Sequence, residues 1–348
     1  MRNKFKVKAL SCFLAVAGFS GVALATSAAA QEVNLYTTRE PGLIQPLLDE
    51  FTNDTNIKVN TVFVKDGLIE RVKAEGDKSP ADILMTVDMG NLLDLVDAGI
   101  TQPIQSDVLN DVVPENLRGP NGHWYAMSLR DRVAYVAADL DIDEITYEEF
   151  ADPKWKGKVC IRSGQHPYNT ALFAAMIAHN GPEATEEWLR GVKDNLGRKA
   201  AGGDRDVARD ILGGICDIGI ANAYYVGRMK NAEPGTDAHQ WGEAIKVIRP
   251  TFANADPTGT HVNISGAALA KYAPNKDDAI TLLEYLVSEK AQHLYANANY
   301  EYPVRDGVEL DPVVASFGPL EVDPLPLTDV VKHRRLASEL VDKVGFNN

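Results

Sequence analysis

Three tyrosines sit where a phenol can reach a shared ligand. Tyr168 lies in Arg162-Ser163-Gly164-Gln165-His166-Pro167-Tyr168-Asn169, while Tyr224 and Tyr225 lie in Ala221-Asn222-Ala223-Tyr224-Tyr225-Val226-Gly227-Arg228. Each stretch directly follows a short apolar run. A lone loop tyrosine is ordinarily a half-buried packing residue, but an adjacent pair matched by a third at an equivalent junction points to chemistry. A free phenol titrates near ~10, so it becomes a ligand only for a cation charged enough to displace its proton. Three phenolates neutralise a 3+ ion and overcompensate a divalent one. Hard oxygen donors also suit Fe(III) better than the softer metals that choose Cys and Met. A helix N-terminus expected at Tyr225 would further favour the anionic form.

Arginines form a second constellation. Arg39 ends the first apolar run, Arg130 and Arg132 flank Asp131, and Arg228 follows the tyrosine pair by one turn. Surface ion pairing with the many carboxylates is the plain reading. The chemical one is an anion seat, because three tyrosines leave an octahedral ion short of ligands and arginine grips planar oxyanions bidentately. Carbonate or a similar anion would complete the shell. His166, two residues before Tyr168, is a candidate outer partner of the site. His123, His179 and His261 show no metal spacing, and HExxH, GxSxG and GxGxxG patterns are absent. A metalloprotease, a nucleophile-elbow hydrolase and a dinucleotide enzyme are disfavoured accordingly, so no enzymatic activity is expected.

Strands and helices that position these groups alternate along the chain. Residues 33–38 read as a strand, followed by a helix from Pro41 with an apolar stripe of Leu43, Ile44, Leu47, Leu48 and Phe51. Strands over 58–64 and 81–87 flank a charged helix over 66–75. Later, strands over 158–162 and 217–221 each lead into a helix, and 132–137 and 260–269 look like strands that cross between halves. Alternation of this kind predicts an α/β fold with helix-flanked, mainly parallel sheets. Strand-to-helix loops then face a cleft, where ligands of open α/β sheets bind.

The N-terminus supplies Arg2, Lys4, Lys6 and Lys8, then an apolar stretch, then Ala28-Ala29-Ala30. Basic, apolar and small-residue segments in that order make a signal peptide, cleaved near Ala30. Cys12 has too few apolar residues before it for a lipoprotein. Losing the four basic residues of the leader takes the net charge from -14 to -18, which disfavours nucleic acid and anionic membrane surfaces. The remaining 318 residues exceed what one core usually supports. Cys160 and Cys216, both in strand-like runs, are expected to form a disulfide in an oxidising compartment if those strands are neighbours.

Six stretches spread over the mature chain carry a family likeness: NLYTTRE at 34–40, SPADILMTVD at 79–88, WKGKVCIRSG at 155–164, NAYYVGR at 222–228, GTHVNISG at 259–266 and NYEYPV at 299–304. The chain resembles the periplasmic ferric-ion-binding proteins of bacterial iron ABC transporters, a branch of the type II solute-binding fold. The resemblance implies two hinged lobes, with the first over 31–130, the second over 131–254, a return to the first over 255–305, and a C-terminal helical segment over 306–348 packing on the second. It implies iron ligation by Tyr168, Tyr224 and Tyr225, and an anion held by Arg39 and by Arg130 or Arg132. It also implies delivery to an inner-membrane permease by a protein expected to act as a monomer. Many members place a tyrosine just after the first strand's arginine, where this chain has Glu40-Pro41-Gly42. Glu40 is the one metal-capable side chain there, and equally a helix-start carboxylate. The alternatives are the same fold carrying a small organic anion or polyamine, and an exported hydrolase using Asp or His.

Overall fold

A computed structural model describes Met1 and Gln31–Asn348; the expected signal peptide, its cleavage point and Cys12 lie outside the described residues. Nine strands appear among the described residues: β1 Glu32–Thr37, β2 Lys58–Phe63, β3 Ile83–Thr86, β4 Thr101–Gln102, β5 Tyr125–Ala137, β6 Val159–Ile161, β7 Ile218–Asn222, β8 Ile245–Ile248 and β9 Val262–Ala270. They run in the order β2-β1-β3-β9-β5-β7-β6, with β4 on β9 and β8 on β5. Pairs built from strand-helix-strand crossovers are parallel, namely β1 with β2 and β3, and β6 with β7. The long strands β5 and β9 pair antiparallel with every neighbour, so the sheet is mixed rather than mainly parallel.

β5 is the link between the two halves of this sheet. Its residues Tyr125–Asp131 pair with β9, while Arg132–Val136 pair with β7, so the strand changes partners between Asp131 and Arg132. It runs for 13 residues and is buried along nearly all of them. That burial on both faces erases the polar alternation by which a strand is read from sequence, and only 132–137 stood out.

Two apolar cores follow. The larger joins the helix Pro41–Thr55, through Ile44, Leu47, Leu48 and Phe51, to the strands and to the helix Pro167–Asn180. The smaller surrounds the Cys160–Cys216 disulfide with Val133, Tyr135, Val207, Ile211, Val226 and Met229. The disulfide ties β6 to the turn entering β7, as the strand adjacency required. Gly219 sits opposite it, and a Cβ there would lie 2.3 Å from the Cys160 carbonyl oxygen. Only glycine lets the strands meet at that point. At the C-terminus the helix Arg334–Lys343 packs on Pro167–Asn180, and Phe346 meets Phe173 edge-on with ring centres 5.7 Å apart. The same segment reaches the helix Met89–Asp97, where Arg334 pairs with Asp94 at 3.2 Å, so it touches both halves.

Candidate metal centre

Both tyrosine-bearing junctions follow the strands of the second half. β6 ends at Ile161, and the loop that follows delivers Tyr168 to the first turn of Pro167–Asn180. β7 ends at Asn222, and Tyr224 opens the seven-residue helix Tyr224–Lys230. The Tyr224 and Tyr225 rings lie 4.1 Å apart. Tyr224 is 8% exposed, and Tyr168 and Tyr225 are half-buried. Burial pushes the Tyr224 phenol well above its ordinary value, and the neighbouring Tyr168 and Tyr225 push it further while Arg130 opposes them. Burial raises Tyr225 as well. The three phenols therefore share one electrostatic neighbourhood, in which Tyr224 and Tyr225 are held in their protonated form through the neutral range. At Tyr225 the helix N-terminus expected to favour the anionic form does not outweigh desolvation, since this helix has only two turns to contribute.

Cationic groups surround the phenols. Arg130 Nη1 donates to Tyr168 Oη at 3.5 Å, and its guanidinium lies 5.5 Å from that ring. Its Nη2 donates to the Val87 carbonyl and, at 2.8 Å, to that of Ile264. Arg228 lies 5.4 Å from the Tyr224 ring. Two arginines not singled out in the sequence join them: Arg162, 5.3 Å from the Tyr168 ring, and Arg205, 6.0 Å from that of Tyr225. Arg39 is almost completely buried, and Glu301 takes both its terminal nitrogens, Nη2 at 2.6 Å and Nη1 at 3.3 Å, with Ser265 on Nη1 at 2.7 Å. Glu301 also accepts from Ser128, so the Arg39 head is fixed rather than mobile. Its charge still acts on Tyr224. The buried Nε atoms of Arg39, Arg130, Arg132 and Arg162 have no protein partner, and a buried unpaired donor normally has an acceptor of some kind.

Arg132 is engaged by the protein at both terminal nitrogens. Its Nη1 donates to Asp204 Oδ2 at 2.6 Å and Asn222 Oδ1 at 3.0 Å, and its Nη2 to Asn169 Oδ1 at 2.6 Å and the Ile220 carbonyl at 3.3 Å. All four terminal N–H groups are spent inside the protein, so Arg132 is a brace beneath the tyrosine junctions. His166 lies beside Tyr168, with ring centres 4.6 Å apart, and its Nδ1 accepts the Tyr168 backbone N–H at 3.2 Å. Burial, then the Arg162 charge, bring this imidazole down to about 4, so it is a neutral acceptor at neutral pH. Glu40 is exposed, and its side chain does not cap the helix that follows. Among the described residues no cluster of three His, Cys, Asp or Glu side chains is placed to hold a metal, which leaves phenols as the metal-capable donors gathered in one place.

Sheet order, crossover strand and junction geometry define a two-lobed solute-binding fold of type II, with the ligand-capable groups at the carboxyl ends of strands. The chain belongs to the bacterial extracellular solute-binding protein family, whose pattern it matches over residues 36–293. It is 41% identical to "Iron uptake protein A1" of Synechocystis over 320 residues, covering 91% of this chain and 88% of that protein. It is 26% identical to "Major ferric iron-binding protein" of Neisseria meningitidis over 92% of this chain and 95% of that one. Among solved structures, a Bordetella ferric binding protein superposes with a TM-score of 0.88 at 75% identity, covering 91% of this chain and all of the other. A Trichodesmium protein in complex with iron and citrate ligands superposes at 0.84 with 40% identity, over 90% of this chain and 99% of that one.

Proposed function

We propose that this protein is the periplasmic binding component of an iron(III) ABC transporter, capturing Fe3+ through the phenolates of Tyr168, Tyr224 and Tyr225 and passing it to an inner-membrane permease. The observation that carries this is the gathering of three mutually interacting phenols, two of them raised by burial, beside cationic groups. An organic ligand rarely needs three phenolates at strand-to-helix junctions. The family and the ferric-binding relatives support the same reading. Arg39 and Arg130 flank an anion, carbonate or a similar oxyanion, that fills the remaining positions on the ion; their unpartnered Nε donors and the citrate in the Trichodesmium complex support that part. Glu40, exposed and free of a capping role, is a weak candidate for a further protein ligand beside the three tyrosines.

The lobes divide within a residue of the point where β5 changes partners, with residues 31–130 and 255–305 in the first and 131–254 in the second. The C-terminal segment over 306–348 rests on the second lobe and reaches the first through Arg334. Rotation about the β5 and β9 crossings closes the first lobe over the ion. The protein is exported by its leader and works as a monomer.

Titrating ferric salt with bicarbonate into the purified protein tests this directly. A phenolate-to-iron charge-transfer band in the visible is expected, weakened in Tyr168→Phe and lost or strongly reduced in Tyr224→Phe and Tyr225→Phe. A colourless, iron-free wild-type protein would sink the reading. Omitting bicarbonate and other oxyanions should weaken the band, and an undiminished one would remove the anion.

A further inference from the structure

Beneath the tyrosines lies a buried polar assembly that the ligand set does not use. Asp204 is 1% exposed and is the first residue of the helix Asp204–Leu212. Its Oδ2 accepts from Arg132 Nη1 at 2.6 Å and from the Asn222 backbone N–H at 2.9 Å, and its Oδ1 accepts from Arg162 Nη1 at 3.2 Å. Asn222 is the last residue of β7, two before Tyr224. Arg132 carries the assembly onward to Asn169 Oδ1 at 2.6 Å, and the Asn169 amide donates at 3.0 Å to the carbonyls of both Arg162 and Ser163. Asn169 is adjacent to Tyr168. One carboxylate thus reaches the Tyr224–Tyr225 junction through a main-chain N–H, and the Tyr168 loop through two arginines and an asparagine.

Burying a carboxylate with two guanidinium groups costs desolvation that good geometry only partly repays. Apolar residues of similar volume would hold the strands together at least as well. What they could not supply is direction: each bond in this assembly ends on a group whose position sets a tyrosine. We propose that Asp204 is the positioning residue of the iron site, holding two junctions from different strands in the one relative placement where three phenol oxygens converge. The role rests on the ferric reading above. Groups outside a metal's ligand shell commonly tune affinity 10–100-fold by orienting the ligands.

The test is a pair of double-mutant cycles on the disulfide-intact protein, read by ferric affinity against a competing chelator and by the charge-transfer band. Asp204→Asn should lower ferric affinity 10–100-fold and shift or weaken the band per bound iron, while Asp204→Glu restores part of both. In a Tyr225→Phe background the same change should cost distinctly less than in wild type, because one of the ligands that Asp204 places is already missing. Asn169→Ala forms the second cycle with Tyr168→Phe, expecting the same non-additivity, and carries the test alone if Asp204→Asn fails to fold. Equal losses in both backgrounds, or a folded Asp204→Asn protein with wild-type affinity and spectrum, would overturn the positioning role while leaving the ferric reading intact. A colourless wild-type protein would overturn both, so the two failures are told apart.

Discussion

Proton release on loading offers the most searching test of a three-phenolate site. Tyr224 is held well above its ordinary value by burial first and by its two phenol neighbours next, and Tyr225 is raised mainly by burial. Both phenols therefore carry their protons throughout the neutral range, and each must lose one to bind the ion. A free phenol titrates near ~10, so a site of three phenolates holds three more protons in its ion-free state than in its loaded state. Affinity must then rise with pH, because the state favoured by alkali is the loaded one. The slope is about three decades per pH unit, or roughly 4 kcal/mol per unit at 1.36 kcal/mol per decade. The assay is ferric affinity between pH 6 and 8 against a chelator of known pH dependence. The anion supplied should be one already fully ionised over that range, so that its own protons do not contribute. Tyr225→Phe should reduce the slope by one. A wild-type slope near one, or none, would show that a single phenolate or only water and anion hold the ion, and would refute the reasoning.

Other predictions address the frame. Replacing Cys160 and Cys216 together with alanine opens a loop of 56 residues, and loop-closure entropy sets the loss near 4 kcal/mol; urea unfolding followed by circular dichroism should show a clearly lower midpoint, and an unchanged one would contradict this. His261 is 2% exposed and is brought down to about 4, by burial first. Its contribution is therefore complete above the ordinary value of about 6.5 and is lost as pH falls toward 4, some 3 kcal/mol in all. His261→Gln should flatten that part of the stability-pH curve. Glu301→Gln leaves the buried Arg39 guanidinium without its counter-charge, and a loss of about 3–5 kcal/mol is expected, measured by thermal or urea unfolding.

Much of the frame was readable because it is local. The strands over 33–38, 58–64 and 81–87, the helix from Pro41 and the two strand-to-helix junctions all follow from patterns within about ten residues, and the structure places each within a residue or two. The tyrosines were conspicuous for the same reason: a Tyr-Tyr pair after an apolar strand is a short-range signal. What escaped was either buried on every side or assembled over distance. β5 between Tyr125 and Leu129 has no polar alternation because both its faces are covered. Asp204 meets Arg132 across 72 residues, and Arg39 meets Glu301 across 262. No spacing rule spans such separations, so the four acceptors around Arg132 are visible only in the fold.

The placement of the arginines bears on how the site is shared between the lobes. Arg130 stands on the β9-paired part of β5 and Arg132 two residues on, past the change of partners. Successive same-face residues of one strand thus serve different halves: Arg132 turns into the second and fixes the tyrosine junctions, while Arg130 anchors on Val87 and Ile264 and reaches across to Tyr168. If the lobes rotate about this point, Arg132 must move with the tyrosines and Arg130 must move relative to them. Arg130 is then the group whose distance to the phenols reports closure. Arg130→Ala should leave the tyrosine geometry and the band position of loaded protein nearly intact, yet lower ferric affinity and weaken its dependence on added oxyanion. Rapid-mixing measurements with and without bicarbonate would show the effect chiefly as faster iron loss. A variant that loses iron no faster than wild type would mean that closure and anion binding are carried elsewhere.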